Sequence, residues 1–161
     1  MKYKFEKHDL LKVELTSIYD VLSEKDINQI KKERKDNACF YNAYMVSKMF
    51  KCDYVEGYSL PFAIKHCINR INGKYIDVNQ LIRPEDQPLQ PFYVKRIFKH
   101  DVIDKLFTDL DYAFITFWVQ DRYSIWLDDN GEVHKELTFD ESQAEIWKDI
   151  KDTNKIYNRE I

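Results

Sequence analysis

The chain has 161 residues, 44% of them hydrophobic and 33% charged, which suits a single globular domain over 1–161 that buries its core without disulfide staples. A formal net charge of −3 excludes the broad positive field that sequence-independent nucleic-acid binding needs, so no nucleic-acid partner is expected. No apolar run approaches the roughly 18 residues of a membrane span, and three cysteines, an odd number, behind a charged rather than basic-then-apolar start fit a soluble protein of the reducing cytoplasm.

The first 35 residues alternate short apolar clusters (YKF, LLKVEL, IYDVL) with charge. Ser23, followed by Glu24 and Asp26, predicts a helix start with acidic residues at the positive end of the dipole, and the helix is read over about 23–34. The basic run KKERK at 31–35 is its solvated end rather than a phosphate site. From Ala38 to Phe50 the only strongly polar residues are Asn42, Ser47 and Lys48, so this second helix is expected to be buried and central. DYVEGYSL at 53–60 reads as a strand bounded by Pro61, and IKHCINRINGKYIDVN as a hairpin turning at Asn72-Gly73.

The proline-rich segment 83–91 reads as a surface loop. HDVIDKLFTDL at 100–110 suits an amphipathic helix with Val102, Ile103, Leu106, Phe107 and Leu110 on one side. YAFITFWVQ, RYSIWLDD and EVHKELTF then read as three strands, the last two joined by a tight turn at Asn130-Gly131, and ESQAEIWKDIKD as a final helix. Helices, strand, hairpin, helix and meander in that order indicate an α+β class rather than alternating βαβ units.

The chemistry centres on Cys39. A thiol is a weak nucleophile at its unperturbed pKa of about 8.5, and a helix N-terminus favours its thiolate. Asn37 is a suitable N-cap and would place Cys39 in the first turn, where backbone N–H groups also suit an oxyanion. A two-residue loop at Asn72-Gly73 sets Ile71 opposite Lys74, Ile68 opposite Asp77 and His66 opposite Asn79. His66, Ile68, Asp77 and Asn79 then share one face, with His66 and Asp77 as diagonal neighbours within side-chain reach. The carboxylate would fix the imidazole while its other nitrogen faces the thiol.

Cys39 with FYNAYMVSKMF, then YVEGYS, HCIN and GKYIDVN, resembles the transglutaminase-like branch of the papain-like cysteine-enzyme superfamily over about residues 37–80. The resemblance implies a buried helix in the N-terminal half packed on an antiparallel β-sheet, with Cys39 as nucleophile, His66 as general base and acid, and Asp77 as the orienting carboxylate. Where related sequences often carry a small residue and then tryptophan after the histidine, Cys67 and Ile68 stand here. The implied function is thiol-dependent acyl transfer or amide hydrolysis through a thioester, by a peptidase, amidase or transglutaminase-like enzyme. Its substrate would be a peptide, protein or small amide, and no cofactor or metal is implied.

Cys52 and Cys67 read as structural. A zinc site from Cys39, Cys52, His66 and Cys67 lacks a C-x-x-C pair, and the adjacent His66 and Cys67 would point in opposite directions on a strand. His8, His100 and His134 have no evident partner, and Asp128 and Asp129 read as turn chemistry. Tyr112, Phe114, Phe117, Trp118, Tyr123 and Trp126 would form core, or wall an apolar groove beside the site. The competing reading is a non-catalytic interaction module, a host- or phage-encoded inhibitor or adaptor, that keeps the fold.

Overall fold

The computed structural model describes residues 2–110, 126–134, 152, 155 and 156. Five strands form one antiparallel sheet: β1 (Glu6–Val13), β2 (Asp53–Ser59), β3 (Ile64–Ile71), β4 (Lys74–Ile76) and β5 (Phe92–Phe98), in the order β1-β5-β2-β3-β4. Among the described residues three α-helices accompany them, α1 (Glu24–Glu33), α2 (Cys39–Phe50) and α3 (His100–Asp109), and β6 (Trp126–Leu127) and β7 (Val133–His134) form a separate two-stranded sheet. The class is mixed, with helices and an antiparallel sheet, as the order of elements implied. No helix among the described residues is long and apolar enough to cross a membrane.

The sheet curls until its edges meet. Just past β1, Leu15 bridges Tyr75 of β4, and the Thr16 amide donates to the Tyr75 carbonyl at 2.7 Å. Two irregularities promote the bend, since a bulge increases local twist: β1 breaks register between Lys7 and Leu11, and β5 carries one extra residue between the pairs Glu56↔Arg96 and Gly57↔Val94. Gly57 admits this close approach, because a Cβ there would stand 2.0 Å from the Tyr93 carbonyl oxygen. The inner face carries Val55, Ile68, Phe92, Val94 and Ile97, with Val13, Leu15 and Tyr75 packed against them.

The outer face receives α2 and α3. Ala43 and Tyr44 of α2 pack with Tyr54, Cys67 and Phe98 of the sheet and with Ile103, Leu106 and Phe107 of α3, and the Tyr44 and Phe107 rings stack at 4.5 Å. The other flank of α2, Met45 and Val46, meets Ile27 and Ile30 of α1 and Ile76 and Val78. Six consecutive α2 residues, Asn42 to Ser47, are therefore buried, which accounts for the missing polar face in the sequence. Ser23 caps α1 as expected, accepting from the Asp26 amide at 3.2 Å. The apolar side of α3 turns inward, with Ile103, Leu106 and Phe107 buried.

Two strands escaped the sequence reading, β1 and β5, and they pair with each other. Both lose their alternation at the bulges, and β5 places Lys95 and Arg96 among buried residues. The turn near Asn130-Gly131 is longer than a two-residue hairpin: Leu127 pairs with Val133, and the Asp128 amide donates to the Glu132 carbonyl. The strand YAFITFWVQ, most of its successor, the final helix and the side chains of the aromatic wall, including that of Trp126, lie outside the described residues.

Candidate active site

The hairpin that carries the site turns as its sequence dictates. Asn72 and Gly73 both adopt positive φ, 50° and 78°, the requirement of a type I′ loop that asparagine and glycine meet at least cost. Ile71 faces Lys74, Arg70 faces Tyr75 and Asn69 faces Ile76. The ladder ends at Ile76, and Asp77 becomes the cap of a 3-10 helix over Val78–Ile82. Asn79 therefore lies inside that helix and not opposite His66, because the Asp77 side chain draws the chain out of the strand by accepting from the Asn79 amide at 2.9 Å.

The other Asp77 oxygen, Oδ2, stands 3.0 Å from His66 Nε2. Both side chains are buried, His66 at 6% and Asp77 at 5% exposure, so the pair is shielded from solvent and the hydrogen bond is charge-assisted. His66 pairs across with Gly57 and alternates with Cys67 on the outer face. Its ring meets the edge of Phe92 at 6.4 Å between centroids.

Cys39 is the first residue of α2, and its thiol lies close enough to the His66 ring to raise the pKa of the imidazole. With Nε2 engaged by Asp77, the nitrogen left for sulfur is Nδ1. Burial works against a charge on His66. The negative charge and hydrogen bond of Asp77, reinforced by the nearby Cys39, outweigh it and carry the imidazole from 6.5 to about 10. Burial likewise opposes ionisation of Asp77, yet the charge and hydrogen bond of His66, the Asn79 amide and the charge of Arg83 hold the carboxyl below its ordinary range. The imidazole is thus a cation at neutral pH, held between a carboxylate and a thiol.

The helix start differs from expectation at one residue. Ala38, not Asn37, is the N-cap of α2, and it makes no side-chain cap bond. Asn37 has a φ of 52°: the chain passes through the left-handed region there, which asparagine tolerates better than most residues, and the cap falls one position later. The approach to Cys39 is fixed instead by Asn42, one turn along the helix. Its Oδ1 accepts from the Lys35 amide at 2.9 Å and its Nδ2 donates to the Lys35 carbonyl at 2.8 Å. Asn42 is 2% exposed, and a polar residue in an otherwise apolar first turn of α2 was the signal available in the sequence.

The other cysteines are placed as structural residues. The Cys52 thiol donates to the Val46 carbonyl at 3.6 Å, and burial pushes it up to about 12. Cys67 is turned away from His66, donates to the Tyr54 hydroxyl at 3.0 Å, and is raised well above the ordinary thiol range by burial. Cys39 precedes Cys52 by the full length of α2, about 18 Å along a helix axis, so the four residues of the zinc reading do not converge. His134 does have a partner, Asp128 at 2.8 Å, and His8 lies 3.4 Å from Glu6. Asp128 accepts from the Asn130 and Glu132 amides, as turn chemistry requires. Asp129 instead binds Arg96 and Lys7.

Comparison of the chain with protein-family models, with characterised proteins and with solved structures gives no match.

Proposed function

We propose that the protein is a cysteine-nucleophile enzyme that catalyses thiol-dependent acyl transfer or amide hydrolysis through Cys39, His66 and Asp77. The observation that carries this reading is a buried imidazole bonded at 3.0 Å to a buried carboxylate, with a thiol at the head of a helix close enough to act on the same ring. A helix buried on the outer face of a curled antiparallel sheet agrees with a transglutaminase-like, papain-like arrangement, which we take as the fold type. Three free cysteines suit a reducing compartment, and we assign the protein to the cytoplasm.

In the proposed cycle His66 already holds the proton of the Cys39 thiol, and the sulfur attacks the substrate carbonyl carbon. The carbonyl electrons move to oxygen, and the Cys39 amide at the helix start stabilises that oxyanion. Collapse re-forms the carbonyl and breaks the bond to the leaving amine, which takes the proton from His66. A thioester remains on Cys39. Water or an acceptor amine then attacks it while His66 removes the incoming proton, and the departing sulfur returns to its place beside the protonated ring. Asp77 stays ionised and keeps His66 Nε2 donating to it, so that Nδ1 serves the sulfur.

Substrates of this chemistry are peptides, protein side chains or small amides. The test is capture by electrophilic ester and amide probes, read as an intact-mass increase mapped to a peptide. A stoichiometric adduct on Cys39 that is absent from the Cys39→Ala variant supports the reading. No adduct with any acyl probe, while His66 and Asp77 substitutions still abolish a partner interaction, replaces it with the interaction-module reading.

A further inference from the structure

We infer that Asn69 is a positioning residue that sets the spacing between Cys39 and His66, an inference that rests on the catalytic reading of that pair. Asn69 lies three residues beyond His66 on β3, opposite Tyr54, on the outer face that receives α2. It is 0% exposed. Its Nδ2 donates to the Ala43 carbonyl at 2.8 Å and to the Asp53 carbonyl at 3.2 Å. Ala43 stands four residues after Cys39 on α2, and Asp53 opens β2. One amide group therefore joins the helix that bears the thiol, the strand that bears the imidazole and the strand beside it.

The bond to Ala43 is additional to the needs of the helix, since a carbonyl inside a helix already accepts from the amide four residues on. The Asn69 Oδ1 has no hydrogen-bond partner among the described residues, a cost that an apolar side chain of the same size would avoid. Packing alone thus gives no reason for an amide at this position, and geometry does. A helix moves as a rigid rod over one turn, so a shift at Ala43 is passed to Cys39. Misplacement of reacting groups by about 1 Å is enough to cost roughly 10²-fold in rate.

The experiment compares four proteins: wild type, Asn69→Leu, Asn69→Ser and Ser47→Ala. Ser47 donates to the Cys52 carbonyl at 2.7 Å, at the far end of α2, so its loss weakens the same helix without touching the pin. Far-UV circular dichroism and urea unfolding report the fold, and iodoacetamide labelling with peptide mapping reports the rate at Cys39 from about pH 5 to 9. Asn69→Leu is expected to lower the Cys39 rate near pH 6 at least tenfold and to shift its profile toward that of the urea-unfolded chain, whereas Ser47→Ala keeps the wild-type profile. Asn69→Ser, which keeps one donor, is expected to fall between them and serves if the leucine variant does not fold. A wild-type profile in the Asn69 variants, or an equal loss in Ser47→Ala, overturns the inference. A wild-type protein whose Cys39 already behaves like the unfolded chain overturns the catalytic reading itself, and the inference with it.

Discussion

His66 and Asp77 differ from a surface ion pair in how much their partner choice matters. In Asp77→Asn the side-chain oxygen can still cap the Asn79 amide, but the NH₂ group then faces His66 Nε2 and forces that nitrogen to accept. The ring proton moves to Nδ1, the atom that in the proposed cycle holds the thiol proton. Turnover of an ester probe is expected to fall by about 10⁴-fold with the fold preserved. The same coupling sets the pH dependence of stability. His66 titrates higher in the folded chain, about 10 against 6.5, so its contribution is complete below about 6.5 and drains away as the pH rises toward 10. Asp77 is shifted downward, and its contribution is lost as the pH falls through its folded pKa. Urea unfolding of wild type between pH 6.5 and 10 should show this decline, and His66→Ala should lack it. That variant is also expected to be destabilised by about 3–5 kcal/mol near neutral pH, because a buried carboxylate is left without its partner.

At the scale of elements, the hairpin and α2 were legible because each rests on local rules. Asn72-Gly73 fixes a two-residue loop, which fixes register, which brings His66 and Asp77 together. The boundary of α2 was off by one residue because a left-handed Asn37 resembles an N-cap in sequence. The strands β1 and β5 were illegible for a different reason: their bulges interrupt the alternation that identifies a strand, and Lys95 and Arg96 sit where apolar residues are expected. Gly57 holds β2 against the bulged β5 opposite His66. Gly57→Ala, with its Cβ only 2.0 Å from the Tyr93 carbonyl oxygen, is expected to cost on the order of 3 kcal/mol in urea unfolding and to slow probe turnover along with it.

Across the whole molecule, one buried charge group ties the sheet to the β6–β7 hairpin. Arg96 donates to the Leu127 carbonyl at 3.2 Å and to Asp129 at 3.1 Å, and its Nε lies 3.4 Å from Glu56. Glu56 is fully buried, neither of its oxygens has a hydrogen bond among the described residues, and burial, only partly offset by the charges of Arg96 and Lys95, raises it to about 7. The raised value means that the folded chain favours the protonated acid, so stability falls as the pH climbs from the ordinary carboxyl range through about 7. Glu56→Gln is expected to be nearly neutral at pH 5 and to stabilise the protein by a few kcal/mol at pH 8, as read by urea midpoints at the two pH values. This charge group explains the β5 residues that broke the strand pattern, and it stands apart from the proposed chemistry at Cys39.

Ranking the three cysteines by labelling rate tests the central claim only weakly, since Cys52 and Cys67 are buried and Cys39 is not. The direct measurement is the pH profile of Cys39 alkylation in the folded wild type, with His66→Gln and the urea-unfolded chain as references. A thiol held against an imidazolium keeps its reactivity as the pH falls, whereas an ordinary thiol loses about tenfold per pH unit below its pKa. The account predicts a Cys39 rate that is nearly flat from about pH 8 to pH 6 in wild type and falls steeply in both references. Superimposable profiles for wild type and His66→Gln would contradict it.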